Sequence, residues 1–387
     1  MFSLHKSLSI AAVVLIASAA ELGVPAYGRP LLETEGNLAK VDFPLVASKQ
    51  ADTQQAENAE SSEDVNQLLS EGRDLVETGE FGEALARYRQ AANLDEENPR
   101  IFSAIGYLEA QQGNFEAAAE AYRQALDLEP NVAEFHYALA YALASAGNDA
   151  EAEAEYEIAA ELNDRNANAF FGLGVVRYRQ GNYEGALEAY RQAAALTDDN
   201  WRVHESIGST LLNLEQYDEA ISALQKAANI APNEGRIQVN LGVALLNTNR
   251  VEEAIAAFDR AIELEPRNGE LLFEVGRLLL ERGDRDRAFD LYRRASALYD
   301  ERADIHLELG KLYLERDDGL NAIIAFRQAV EVDEDLAEAH QLLGLTLQDR
   351  GRTDEAIAEL ETALQLYEEQ GNSDLAEEVR EQLDELR

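Results

Sequence analysis

The sequence predicts an all-α protein, a solenoid of stacked helix-turn-helix units, on three observations. A 34-residue pattern recurs nine times from Val65 without insertion or deletion. Alanine stands at the twentieth place of every unit, from Ala84 to Ala356, and at the twenty-seventh, from Ala91 to Ala363. Apolar residues within a unit fall three and four apart, as in Leu241, Gly242 and Leu245, then Ala254, Phe258, Ala261 and Leu264. That spacing marks two amphipathic helices with narrow apolar stripes. A strict period of this length means that each unit buries its apolar face only against its neighbours.

Taken in order, Met1–Ala20 has a polar start with Lys6, an apolar run from Ile10 to Ile16, and Ala17-Ser18-Ala19. This is the pattern of a cleaved secretory signal, with an uncleaved membrane anchor as the alternative. No cysteine follows the run, which argues against a bacterial lipoprotein. Residues 21–64 are polar and aperiodic around Gln50–Ser62 and read as a disordered linker.

The nine units follow as 65–98, 99–132, 133–166, 167–200, 201–234, 235–268, 269–302, 303–336 and 337–370. Each helix should be about fourteen residues, or roughly 21 Å long. A small residue holds the eighth place (Gly72, Gly106, Ala140 and then glycine through Gly344), where it lets two helices approach. The large twenty-fourth side chain, such as Tyr88, Tyr190 or Phe258, should fill the gap beside it. Gln112-Gly113-Asn114 and Gln180-Gly181-Asn182 are polar breaks, with glycine ending the first helix. Pro130, Pro232 and Pro266 at the thirty-second place stop the second helix. In residues 371–387, Leu375, Val379, Leu383 and Leu386 make a last amphipathic helix, expected to cap the open face of the ninth unit.

These places resemble the tetratricopeptide repeat: small at eight, alanine at twenty and twenty-seven, aromatic at twenty-four, with Phe81, Phe115, Tyr183 and Tyr217 at seventeen. The resemblance covers residues 65–370, and it implies a right-handed α-solenoid with a concave binding groove lined by the first helices. Two departures stand out. No unit has the family's tryptophan at the fourth place, and Glu109 and Arg177 occupy the eleventh, where an apolar residue is usual. Looser packing is expected there in units 2 and 4.

Composition narrows the function. The chain has no cysteine and only Met1 as methionine, so thiol nucleophiles, disulfides and cysteine-bound metals are excluded. Composition bias and an oxidising compartment both account for this. The formal net charge is −42, which repels nucleic acid and anionic membrane surfaces. The acidity with few lysines suits a salt-rich setting, but also ordinary acidic helical repeats. No phosphate-cradling glycine loop, His-Glu-x-x-His or nucleophile-elbow motif is present. A non-enzyme without cofactor or metal is expected. His136, His204, His306 and His340 all take the fourth place of their units. They read as packing rings at the joints with a preceding unit, with pH sensing as the second reading. Trp201 reads as packed at a turn edge, the alternative being a ligand anchor.

The resemblance implies ligand contacts at the second, fifth, ninth, twelfth and thirteenth places. There this chain has Tyr107, Tyr137, Tyr141, Phe171, Val175 and Tyr178, none of them at a core place of the pattern. Arg100, Arg179, Arg202 and Arg236 accompany them, with Asn240 beside the row at the sixth place. Units 1–6 carry Arg73 and these four arginines against Glu77, Glu134 and Glu205, whereas units 7–9 are acidic at the same places. Aromatic rings on an accessible face are favoured binding anchors. The expected partner is a peptide or protein segment with apolar anchors and some acidic groups. The family's carboxylate clamp is not matched, because Glu270 and Glu274 stand where cations are required. The leading expectation is an exported interaction scaffold. A self-associating structural module and a binding subunit of an enzyme complex are the alternatives.

Overall fold

The computed structural model describes residues 58–387. They form nineteen α-helices and, among the described residues, no strand. The helices belong to two compact units that meet in sequence at Pro232 and Asn233. The N-terminal unit holds α1 (Asn58–Glu77), α2 (Phe81–Leu94), α3 (Pro99–Gln111), α4 (Phe115–Leu128), α5 (Ala133–Ser145), α6 (Asp149–Leu162), α7 (Ala167–Arg179), α8 (Tyr183–Leu196), α9 (Trp201–Asn213) and α10 (Tyr217–Ile230). The C-terminal unit holds α11 (Gly235–Asn247), α12 (Val251–Leu264), α13 (Gly269–Glu281), α14 (Arg285–Ser296), α15 (Ala303–Leu314), α16 (Gly319–Val332), α17 (Ala337–Asp349), α18 (Thr353–Glu369) and α19 (Ser373–Leu386). From α3 to α17, first helices start at place one of the repeat, and all nine second helices start at place seventeen. The segment read as a signal and most of that read as a linker lie outside the described residues. Residues 58–64, read as linker, are the first turns of α1. Lengthening a helix already nucleated by the packed face of Val65, Leu68 and Leu69 costs little.

Why the chain turns where it does is a backbone matter. Place fifteen has positive φ in all nine repeats: Gly79, Gly113, Gly147, Gly181, Gly283 and Gly351, but also Glu215 (φ 58°), Asn249 (φ 60°) and Asp317 (φ 58°). The next amide then reaches back to place eleven, as in Asn114 N to Glu109 O at 2.9 Å and Asn148 N to Leu143 O at 2.9 Å. This is the Schellman ending, which satisfies carbonyls left open by the last turn. Asparagine then starts several first helices: Asn98, Asn166, Asn200 and Asn268 accept backbone amides of the turn that follows.

Inside each repeat, glycine at place eight lies against the side chain at place twenty-four. A Cβ built on Gly242 would lie 2.5 Å from Phe258, and one on Gly106 would lie 2.9 Å from Tyr122. Both alanine columns are fully buried. Repeat 3 has Ala140 at place eight, and its Tyr156 instead lies against Gly172 of the next repeat. The pattern's small and large places are thus one packing device.

Glu109 and Arg177 do not loosen their joints. Glu109, 3 % exposed, binds Arg89 of the preceding repeat and accepts from Asn114 at 2.9 Å. Arg177 donates to Glu153 at 2.8 Å and also binds Glu157, both in the preceding repeat. Arg89 and Glu157 occupy the same twenty-fifth place, so the two joints carry one bridge with reversed polarity. Charge here replaces an apolar contact and keeps its partners. The four histidines are buried, and each ring Nε2 lies 2.9–3.1 Å from the carbonyl six residues earlier, in the turn from the preceding repeat. The packing role expected for them holds.

The last helix, α19, covers repeat 9 with Val379 and Leu383, as expected. Leu375, expected beside them, is 39 % exposed, and Ala376 is buried in its stead. The buried stripe is rotated so that Leu375 falls at its rim. Gln341 ties the cap down: it accepts from the Tyr367 hydroxyl at 3.0 Å and donates to Glu378 and Gln382 at 3.4 and 3.3 Å.

Candidate functional site

Nine of the eleven candidate residues belong to the N-terminal unit, on α3, α5, α7 and α9, and Arg236 and Asn240 belong to α11 of the C-terminal unit. The aromatic residues are not free of the core, although they lie outside its pattern. Tyr137 tilts onto Tyr156 with ring centroids 5.9 Å apart, and Phe171 onto Tyr190 at 5.5 Å. Both pairs join place five to place twenty-four of one repeat, and Phe273 with Tyr292 repeats the arrangement at 5.4 Å. Tyr141 meets Phe115 edge-on at 6.4 Å. Tyr107, Tyr137, Tyr141, Phe171 and Tyr178 all end half-buried, with part of each ring against the fold and part toward solvent.

Two candidates are corrected by burial. Val175 is 0 % exposed and Asn240 is 3 % exposed. At these ninth and sixth places the short side chains turn inward. Neither residue offers a surface to a ligand. The remaining rings differ in their polar ends. Asn213 Nδ2 donates to the Tyr178 hydroxyl at 2.9 Å, and Ser209 lies 3.5 Å from it. Burial raises the Tyr178 phenol above its ordinary value, while Ser209 and Asn213 work against that rise. Burial pushes Tyr137 up to about 12, with Tyr141 adding to the effect. Both phenols therefore stay neutral donors at any ordinary pH.

The arginines are engaged to different degrees. Arg179 donates to the Ala144 carbonyl at 3.0 Å and to Asp149 at 3.3 Å, and so clamps repeat 4 to repeat 3. Arg202 lies over the Trp201 ring, 4.8 Å from its centroid, at the half-buried start of α9. Arg100 is exposed at the start of α3, and Arg236 is half-buried in α11.

Most carboxylates of the acidic face expected in units 7–9 are paired with cations, of which Arg277 and Lys311 stand at groove places and Arg302 does not, and an excess of negative charge remains. Glu270 binds Arg302, whose guanidinium also holds Asp304 at 2.5 Å and lies over the Phe273 ring at 4.5 Å. Glu274 accepts from Arg277 at 2.6 Å. Burial raises the Glu274 carboxyl, and Arg277 counters that rise. Lys311 spans Glu308 and Glu338, each at 2.8 Å. Sequence reasoning missed Arg302, Glu308, Ser209 and Asn213. The last two stand at groove places of repeat 5 and could have been found by reading those places in every unit. Among the described residues, no group of three or more His, Cys, Asp or Glu could hold a metal ion. No described helix is long and apolar enough to cross a membrane.

Residues 131–345, more than half of the chain, match the family model described as the Cilia and flagella-associated protein 70 C-terminal domain, a tetratricopeptide repeat model. The chain belongs to the tetratricopeptide repeat family. Models of the single repeat match residues 72–111, 106–147 and 337–370 as well. None of the matched models is that of an enzyme. No curated protein sequence matches the chain. Among solved structures, MamA from Desulfovibrio magneticus RS-1 is 23% identical over 44% of this chain and 96% of its own, with a TM-score of 0.42. A tetratricopeptide repeat protein from Parabacteroides merdae is 18% identical over 64% of this chain and 98% of its own, at 0.47. YrrB, titled as having an unusual peptide-binding site, is 21% identical over 57% of this chain and 96% of its own, at 0.38. At these scores the likenesses carry no argument about function.

Proposed function

We propose that the chain is an exported scaffold that grips a segment of another protein on the first helices of repeats 2 to 4. The observation that carries this reading is the row of half-buried rings on α3, α5 and α7, above all Tyr107, Tyr141 and Phe171. One edge of Tyr141 and of Phe171 is held by Phe115 and Tyr190. A ring fixed in this way loses little entropy when its other edge meets a ligand, which is the property of a binding anchor. Arg100 and Arg202 flank the row with positive charge on a chain whose net charge is −42, which favours acidic groups beside the ligand's apolar anchors. Export is supported by the Met1–Ala20 pattern.

The test is capture of a partner from an envelope fraction with the tagged chain, followed by a binding titration of Tyr141→Ala with Phe171→Ala. The pair should weaken binding by about 2 kcal/mol or more, roughly thirtyfold, with helix content unchanged. Wild-type affinity in that double variant, together with lost affinity in Glu338→Ala with Asp349→Ala, would place the ligand on the other unit.

A further inference from the structure

We propose that His340 and Glu359 share an extra proton that clips repeat 9 to the turn before it, and that its release with rising pH loosens the C-terminal end of the chain. His340 stands at the fourth place of α17 and is 9 % exposed. Its Nε2 lies 3.1 Å from the Glu334 carbonyl, in the turn after α16, and its Nδ1 lies 2.7 Å from a Glu359 carboxylate oxygen on α18. A carbonyl only accepts, so Nε2 must carry a hydrogen. The short contact at Nδ1 then needs a second proton, which sits on the imidazole, a stronger base than the carboxylate. The pair therefore holds one proton more than a neutral imidazole beside a carboxylate.

The charges around the ring act in one direction. Burial opposes the charged ring, but Glu359, the Glu334 carbonyl and Asp333 outweigh it and raise the histidine above its ordinary value. Other charged groups on the surrounding helices have partners of their own. Glu338 on α17 binds Lys311, Arg327 on α16 binds Glu355, and Glu378 on α19 accepts from Gln341. The unfolded chain releases the histidine proton near pH 6.5, before the folded chain does. The stabilisation is thus fully present below about pH 6.5, and it is lost as pH rises through the folded value. Once the proton has gone, the ring can donate to the carbonyl or to the carboxylate but not to both. The joint between the turn and α18 then loses one of its two ties.

His306 is the internal reference. It takes the same place in repeat 8 and approaches the Asp300 carbonyl at 3.1 Å, but its buried Nδ1 has no partner among the described residues. No acceptor among them faces that nitrogen, so the geometry calls for no second proton. His136 repeats the two-acceptor geometry in the N-terminal unit, with Glu155 at 2.6 Å and the Pro130 carbonyl at 2.9 Å.

The experiment follows the ring nitrogens of the full chain, labelled with 15N-histidine, from pH 5 to 9, and measures amide exchange in α17–α19 across the same range. Both His340 nitrogens should carry protons up to a midpoint above 6.5. Protection in α17–α19, corrected for intrinsic exchange, should fall about tenfold for each unit by which that midpoint exceeds the unfolded value. The reference is α1–α2, whose repeat has no histidine and whose protection should hold. Glu359→Gln should lower the midpoint and flatten the pH dependence without unfolding the cap. A singly protonated His340 ring at pH 6, or protection in α17–α19 that does not change with pH, would overturn the proposal.

Discussion

Replacing Gly242 by alanine sets two effects of known size against each other. Alanine in a helix interior is favoured over glycine by about 1 kcal/mol, so a propensity argument predicts stabilisation. The added Cβ would lie 2.5, 2.7 and 2.8 Å from Cε1, Cζ and Cδ1 of Phe258, distances at which the ring must move. Phe258 is fully buried, and Ala254 and Ala261 on the same helix are buried as well, so the ring moves within the core and not into solvent. Overpacking of this kind costs about 1–3 kcal/mol, which exceeds the propensity gain. The net expectation is a loss of about 1 kcal/mol. Gly276 supplies the comparison, because its nearest atoms, on Tyr292, are 3.1 Å away and a small tilt of the ring relieves the contact. Gly276→Ala should therefore be close to neutral. Melting of the whole chain is a poor readout, since repeats couple mainly to their neighbours and unfolding need not be two-state. Amide exchange in α11 and α12 is the direct assay. It should quicken about fivefold in Gly242→Ala and stay near wild type in Gly276→Ala, with α17 and α18 unaffected in both. If exchange in Gly242→Ala instead slows, propensity dominates and the close approach of places eight and twenty-four does not control stability.

Glu215→Gly should stabilise the turn between α9 and α10 by about 1 kcal/mol, because Glu215 holds φ at 58° where six other repeats place glycine. Slower amide exchange in α9 and α10 is the check. Arg177→Leu should leave amide exchange in α7 and α8 nearly unchanged, since an apolar residue is usual at this place and Glu153 and Glu157 keep access to water. Arg177→Glu, by contrast, should cost about 2 kcal/mol, discounted for the partial exposure of its partners. Adding Glu157→Arg should recover part of that loss, since the Arg89–Glu109 bridge shows the reversed polarity at the same places. No recovery would mean that the pair at this joint is incidental.

The sequence alone determined the repeat helices, their starts from α2 onward, the turns and the packing partners within a repeat. Those features depend on neighbours at fixed sequence distance: the left-handed residue at place fifteen, the alanine columns, and glycine at eight against a large side chain at twenty-four. A strict period makes each such contact recur, so nine copies of one local rule are as legible as a single long motif. The tertiary structure decided where individual side chains went. Glu109 and Arg177 looked like defects and are bridges, because their partners stand twenty and more residues away on the preceding repeat. Val175 and Asn240 stood at or beside groove places and are buried. The rings at place five stand outside the core pattern yet lean on it. Glu270 and Glu338 in the acidic repeats 7 to 9 are paired with Arg302 and Lys311, which neighbouring helices bring to them. A repeat pattern states which places share a helix face. It does not state the rotamer of each side chain or the charge of the neighbour it meets, and those two quantities set exposure and pairing.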